Sequence, residues 1–364
     1  MNQTLEHCRW VYNETLATRK NAWEQELKSV SNFDTHNLLP AWKAQHPELK
    51  DVHSQVLQET QQRVDLAFKS FFRRVKAGDQ GKAGYPRFKG KGWYDSFTYP
   101  QLGYSVHDDS TLRISKIGNV KIKLHRVLGI EGTIKRLTIN RRATGKWFAC
   151  FTVDTEPQQR SNGNNAVIGI DVGLTSFATL SNGEHIENPR FFKTEQKALA
   201  KAQRTLSAQE KGTPQRAKKR KVVARIHERI ANRRNNFAHQ LSRKLVNTYH
   251  TLAFEQLNIK GMMQNGYPRL ATSIGDVAWR QFITFTKNKA ENAGSTMVMV
   301  DPKNTTQECS RCGTIVRKEP KDRIHECSCG LVVDRDENAA INILRRGLAS
   351  VRKTDRSPLR KLGE

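Results

Sequence analysis

Three acidic positions lie far apart in the chain, each at the edge of a segment whose pattern marks it as buried. Asp171 ends the apolar run "AVIGID", Glu255 ends "TLAFE", and "DRDENAA" places Asp334, Asp336 and Glu337 at the start of an alanine-rich helix. A carboxylate inside a buried strand is costly unless a cation or strong donors satisfy it. Hard divalent cations such as Mg2+ favour carboxylate oxygens. Two of them can bracket a phosphodiester, one activating the attacking water and the other stabilising the departing oxygen. Each acid alone reads as a cap or a surface charge. Taken together, in a chain with a formal net charge of +27, they predict a metal-dependent nuclease site. In the last cluster, Asp334 with Glu337 three residues later fits a capping box, Asp334 being the N-cap. Asp336 shares a helix face with Ala339, Ala340 and Ile343, and Glu337 shares one with Ala340, Ile341 and Leu344. Periodicity therefore leaves the third ligand open between Asp336 and Glu337.

A second set of residues points to a different metal. Cys309-x2-Cys312 and Cys327-x-Cys329 put four thiolates on two short turns, which suits tetrahedral Zn2+. The second pair is one residue tighter than the usual C-x-x-C, so His325 stands as a substitute ligand should both of its cysteines not reach. A closed four-ligand site has no open position, so this zinc would hold a fold and do no chemistry. Four of the six cysteines fall within 21 residues, a pattern of metal ligation in a reducing compartment. Cys8 and Cys150 sit in apolar-periodic segments and read as inert core residues.

Lys and Arg outnumber Asp and Glu by 62 to 35, which makes a polyanion the expected partner. A membrane surface fits poorly, because no apolar run approaches a span and the basic segments carry little apolar surface. The start, "MNQTLEHCRWVYNETL", has no apolar signal core, and a cytosolic protein is expected.

The elements that must position these residues follow from periodicity. Within 1–82 the pattern is helical. Val56, Leu57, Val64, Ala67, Phe68, Phe71, Phe72 and Val75 form one stripe, with Gly78 as a stop. Over 83–160 the period falls to two, predicting a small twisted antiparallel barrel. Its leading loop "GYPRFKGKGW" reads equally as an ordinary solvated connection or as one offering Arg87 and Lys89 to phosphates and aromatics to bases. The polar stretch 156–165 marks a domain boundary. After it, "AVIGIDVG" is apolar on both faces, as a central strand is, and returns as "SFATL" in a hairpin. Two helices broken near "KGTP" follow. The second carries Val222, Ile226, Ile230, Phe237, Leu241 and Leu245 on one stripe. Lys218, Lys219, Arg220, Arg225, Arg229, Arg233 and Arg234 lie outside that stripe, where nearly no acids neutralise them and a nucleic-acid backbone would. "GMMQNGYPRLATSIG" reads as a loop. A helix over "VAWRQFITFTKNKAENAG" and a strand "TMVMV" lead to the cysteines.

The order "GIDVGLTSFATLSNGE", basic helical pair, "FEQLNIKGM", "VDPKNTTQECSRCG", "CG", "DRDENAAINIL" resembles the TnpB family of transposon-encoded RNA-guided nucleases, relatives of compact type V CRISPR effectors. "CRWVYN" and "PRFKGKG…SFTYP" carry the resemblance into the first half of the chain. It implies an α/β multidomain protein with a helical recognition lobe (1–82) and a wedge-type oligonucleotide-binding β-barrel (83–160). A RuvC-like, RNase H-fold nuclease domain (161–305 and a last helix, 333–346) follows, interrupted by a zinc hairpin (306–332) and ending in a basic tail (347–364). It assigns Asp336 as the third catalytic acid beside Asp171 and Glu255, with two Mg2+ at the acids and one Zn2+ at the cysteines. The hairpin is expected to control access to those acids. The partners implied are a guide RNA from the transposon end (omega RNA) and double-stranded target DNA cut beside a short flanking motif. The protein would act as a monomeric ribonucleoprotein at the bacterial or archaeal nucleoid. Base pairing would read the target while the protein reads the flanking motif and duplex shape. The family usually begins with a β-strand that is not evident here, so a nuclease-inactive RNA-guided repressor is the alternative expectation.

Overall fold

Alternating stripes of apolar residues account for the first unit, Met1–Glu156. The computed structural model describes residues 1–78, 83–107, 110–124, 132–155, 165–265, 267–319 and 321–355. Helix α1 (Asn2–Glu26) buries Leu5, Cys8, Val11, Tyr12 and Leu16 along one side. Short helices α2 (Asn32–Asn37) and α3 (Leu39–Gln45) and a 3-10 turn (Pro47–Asp51) lead to α4 (Ser54–Lys76). The α4 stripe buries Val56, Leu57, Val64 and Phe68. It ends there. Phe72 is 53% exposed, against expectation, and Phe71 instead meets the ring of Tyr85 edge-on at 5.4 Å.

Strands β1 (Ser96–Tyr99), β2 (Tyr104–His107), β3 (Thr111–Ile114), β4 (Gly118–Lys121), β5 (Gly132–Arg141) and β6 (Trp147–Thr155) form two antiparallel three-stranded sheets. Their orders are β1-β5-β6 and β2-β3-β4. Helices and sheets share one core that includes Leu5, Val64, Phe97, Leu112 and Leu137. Cys8 lies within it, and burial pushes its thiol up to about 12. Cys150 does not. Successive strand residues face opposite sides; Trp147, Ala149 and Phe151 take the core side of β6, which leaves Phe148 and Cys150 exposed. The expectation of a buried Cys150 is corrected accordingly. The expected boundary stretch lies, apart from Asn165, outside the described residues; of the expected basic tail (347–364), the part up to Asp355 continues the last helix, which runs Arg335–Asp355 where 333–346 was expected, and the rest lies outside the described residues.

The second unit, Pro157–Glu364, is built on a five-stranded sheet ordered β11-β10-β7-β8-β9. Strand β7 (Val167–Val172) pairs antiparallel with β8 (Ser176–Leu180), and β8 with β9 (His185–Glu187). Helices α5 (Phe191–Ser207) and α6 (Pro214–Thr248) form the basic pair. Then β10 (Thr251–Glu255) joins β7 in parallel, buried at all five positions. The segment expected to be a loop holds two helices, α7 (Ile259–Asn265) and α8 (Pro268–Val277). They are short, and α8 starts at a proline suited to a helix's first position. Its apolar stripe, Leu270, Ile274 and Val277, is too brief to announce a period. Helix α9 (Trp279–Asn292) and strand β11 (Thr296–Val300, parallel to β10) follow. The hairpin β12 (Ile324–Glu326) and β13 (Val332–Asp334) runs directly into α10 (Arg335–Asp355). On α6 the inward residue is Val223, packed with Phe191, Phe192 and Leu199, while the expected Val222 is 41% exposed.

Helix α10 lies directly on the sheet. A Cβ at Gly169 of β7 would sit 2.1 Å from the Ala340 carbonyl oxygen, and one at Gly347 of α10 would sit 2.6 Å from Ala253 Cβ on β10. Residues two apart on a strand share a face. Asp171 and Glu255, each two residues beyond these contact points, therefore project on the face that α10 covers, at the end where α10 begins.

Candidate active site and metal centre

The strand registers bring the first two acids side by side. Phe254 pairs with Ile170, and the next step along both strands is Glu255 and Asp171. The helix supplies the third. Asp334 Oδ1 accepts the Asp336 N–H at 2.8 Å and the Glu337 N–H at 3.1 Å, as an N-cap does. These bonds cap the first turn of α10, and the helix's backbone contact with Gly169 sets it on the sheet.

Electrostatics shows how these acids interact. Asp171 is half-buried by surface area, yet desolvation by the atoms packed around it pushes its carboxyl well above the usual carboxylate range, and the charges of Glu255 and Asp336 push it further. Arg335 opposes them and Asp334 adds a smaller upward push. Arg335 is itself paired with Asp336 at 3.1 Å. Burial also raises the Glu255 carboxyl, against a hydrogen bond from the Thr305 hydroxyl and the charge of Arg346. Glu337 lies elsewhere. Its carboxylate faces the β8–β9 turn, 3.4 Å from where a Gly183 Cβ would be. Of the two acids that periodicity left open, Asp336 is the one coupled to Asp171. The carboxylates converge at electrostatic range. They do not form a set as tight as the cysteines, the one group of three or more metal-capable side chains within 4.8 Å among the described residues. A set of hard oxygens, one of them held above its normal proton affinity by its neighbours, matches the donor chemistry of a divalent cation.

The cysteine centre is closed. Cys309, Cys312, Cys327 and Cys329 place their sulfurs within 4.8 Å of one another, with Cys309–Cys329 and Cys312–Cys327 both at 3.6 Å. Ligands at about 2.3 Å on a tetrahedron stand about 3.8 Å apart, so the four thiols fit Zn2+. Each knuckle ends in a glycine with positive φ, Gly313 at 79° and Gly330 at 85°, turning the chain back at once. The tight C-x-C pair therefore reaches the centre. The Thr314 hydroxyl and backbone, with Cys327, draw the Cys312 thiol down to about 6, favouring the thiolate a metal needs. His325 is outside the group. It is fully buried, with Nδ1 2.6 Å from Lys318 Nζ.

The structure also shows partners that the motif reading missed. Asn338 and Asn342, fully buried and four residues apart on α10, hold the segment before Cys309. Asn338 Nδ2 donates to the Glu308 carbonyl at 2.8 Å, and Asn342 Nδ2 to the Thr305 carbonyl at 2.9 Å. Their spacing on the inward helix face was the available signal. Among the basic residues, Lys218, Arg220 and Arg225 are exposed and Lys219 half-buried. Arg229 and Arg233 reach Glu195 of α5 at 3.1 and 3.3 Å, and Arg234 reaches Asp276 of α8 at 2.7 Å. In the first unit Arg87 is exposed. Lys89 exchanges backbone hydrogen bonds with the Asn13 side chain, its ammonium 5.6 Å from the Tyr12 ring centre. No described helix is long and apolar enough to cross a membrane.

Comparison with known proteins gives the following likenesses. Residues 150–266 match a family described as "Probable transposase", residues 279–343 a "Cas12f1-like, TNB domain", and residues 1–28 a "Helix-turn-helix domain". In the structure that last stretch is spanned almost entirely by α1. A Streptomyces pristinaespiralis protein named "Putative RNA-guided DNA endonuclease" is 33% identical over 355 residues, 96% of this chain and 86% of that protein. An Escherichia coli K12 protein, "Putative RNA-guided DNA endonuclease InsQ", is 28% identical over 94% of this chain and 87% of its own length. Among solved structures, the cryo-EM Cas12f1–sgRNA–target DNA complex superposes with a TM-score of 0.56 at 16% identity, over 94% of this chain and 81% of that one. The two share a mixed α/β fold.

Proposed function

The chain belongs to the TnpB family, and from that premise we propose that it is a transposon-encoded, RNA-guided DNA endonuclease dependent on divalent metal. The observation that carries this reading is the convergence of three acids: the strand register sets Glu255 beside Asp171, and Asp336 lies in the first turn of the helix packed on that sheet, close enough for its charge to push the Asp171 carboxyl up. Such a cluster is expensive to bury as charges and becomes favourable around a cation. The sheet supports the same reading. Its order β9-β8-β7-β10-β11, antiparallel through β7 and parallel beyond it, is the one we read as a RuvC-like domain of RNase H type.

When bound, two Mg2+ ions would supply an activated water and stabilise the departing oxygen of the cleaved phosphodiester. Asp171 and Glu255 hold their carboxylates at adjacent strand ends, and Asp336 holds its own over them from the first turn of α10. Arg335 screens part of the mutual repulsion. The four cysteines would hold one Zn2+, fixing the segment that enters α10. Lys218, Lys219, Arg220 and Arg225, with Arg87 and Lys89, are proposed phosphate contacts. Arg229, Arg233 and Arg234 share their charge with acids of neighbouring helices. The partners are a guide RNA from the transposon end and double-stranded DNA bearing a short flanking motif, engaged by a monomeric ribonucleoprotein.

The test is cleavage by the purified ribonucleoprotein in Mg2+ on a guide-matched duplex. Wild type is expected to cut. Asp171→Ala, Glu255→Ala and Asp336→Ala are each expected to bind RNA and target but lose cleavage by at least about a hundredfold. Target binding without any cleavage by wild type would leave an RNA-guided repressor in place of the enzyme.

A further inference from the structure

The segment between β11 and the first knuckle is clamped to α10 at several points. Arg346 Nη1 donates to the carbonyls of Asp301 at 2.9 Å and Lys303 at 2.7 Å, and its Nη2 reaches the Glu308 carboxylate at 2.5 Å. Arg345 pairs with the same carboxylate. Asn342 Nδ2 donates to the Thr305 carbonyl and, at 2.6 Å, to that of Glu308. Asn338 accepts the Ser310 N–H at 2.9 Å. Every anchor is on α10, the helix that carries Asp336.

One side chain of this segment points back at the acids. Thr305 is 2% exposed, and its hydroxyl donates to Glu255 Oε1. Its other neighbour, the Pro302 carbonyl oxygen at 3.1 Å, is a weaker claimant on the single hydroxyl proton, because a carboxylate accepts more strongly. Glu255 itself is 7% exposed, so its oxygens have little water to turn toward.

We infer that Thr305 is a positioning residue for Glu255: it occupies Oε1, fixes the carboxylate plane and leaves Oε2 to face a divalent cation. The α10 clamp sets where Thr305 stands, so Glu255 and Asp336 are registered to the same helix although 81 residues separate them in sequence. The role rests on the proposed reading of Glu255 as a metal ligand. It adds that ligand geometry is set from the segment leading into the cysteine centre. A hydrogen-bond partner behind a ligating carboxylate orients it, and losing one typically costs 10- to 100-fold in metal affinity, roughly.

The experiment is a titration of the full-length, zinc-loaded chain with Mn2+ alone, free ion being counted by electron paramagnetic resonance. Thr305→Val, nearly isosteric but without the hydroxyl, is expected to weaken Mn2+ binding about tenfold while keeping about one zinc per chain. Thr305→Ser, which keeps the donor, is expected to stay within about twofold of wild type. Thr305→Ala replaces the valine variant should the added methyl prevent folding, with the same expected loss. Glu255→Gln separates the two layers of the argument. Wild-type Mn2+ binding by Glu255→Gln would overturn Glu255 as a ligand. Loss of binding there, with wild-type affinity in Thr305→Val or Thr305→Ala, would overturn the role of Thr305 alone. Equal weakening in the serine and valine variants would also overturn it, since the donor would then be irrelevant.

Discussion

A carboxyl group at the end of a buried strand must hold its proton or meet a cation, and Asp171 stands at that choice. Burial and the charges of Glu255 and Asp336 raise its proton affinity, and burial raises that of Glu255. Protons and metal then compete for the same oxygens. The sign follows directly: acids with raised values keep protons further up the pH scale, so metal binding displaces them and strengthens as pH rises. The Mg2+ concentration for half-maximal cleavage should therefore keep falling as pH rises above the ordinary carboxylate range, where unperturbed carboxylates would show no further change. A flat Mg2+ requirement above that range would contradict the raised acids. The positions of Asp171 and Glu255 were readable, because each interrupts an apolar run at its end. Thr305 was not. Its partner is 50 residues away, and nothing in "NTTQE" distinguishes a threonine aimed at a carboxylate from one facing water.

Elements position the acids through backbone contact, and two glycines make that contact possible. Gly169 of β7 lies under the Ala340 carbonyl, where an added Cβ would sit at 2.1 Å, and the obstacle is backbone that cannot rotate aside. Gly169→Ala should displace α10 and lower stability by about 1–3 kcal/mol or more by thermal melting. Cleavage should fall with it, because Asp336 moves with the helix. Gly275 of α8 offers the contrast. A Cβ there meets only Met263 Cε at 3.8 Å, so Gly275→Ala should be neutral or gain up to about 1 kcal/mol of helix propensity. A Gly169→Ala protein as stable and active as wild type would refute the packing argument. Long helical stripes such as those of α1 and α4 were legible from period alone. Helices α7 and α8 were not, since seven and ten residues carry under three turns of pattern and α8 opens on a proline. Cys150 failed for another reason: alternation divides a strand into two faces without saying which one meets the core.

The whole molecule is strongly cationic, and its charge is unevenly spent. Helix α6 carries eleven Lys and Arg against one Glu, yet Arg229, Arg233 and Arg234 are occupied by Glu195 and Asp276 from other helices. Sequence showed the excess but not which charges the fold would use internally, because those acids come from α5 and α8. The remaining exposed cations should dominate non-specific nucleic-acid binding. Affinity of the full chain for a non-cognate RNA is expected to fall at least about a hundredfold between roughly 50 and 200 mM salt. Salt-independent binding would point to contacts other than phosphates. Composition, the four cysteines and the two acid-tipped strands thus carried the function a long way. What they left out is the set of long-range hydrogen bonds that ties the cysteine segment to α10 and the acids.

Convergence of the three acids on shared cations is tested most directly by locating Mn2+ through anomalous scattering in crystals of the full chain. Manganese is expected at about 2.1–2.2 Å from carboxylate oxygens of Asp171, Glu255 and Asp336, with the zinc signal separately at the four cysteines. Manganese bound only at other positions, in a preparation whose ribonucleoprotein cuts its target, would contradict that convergence.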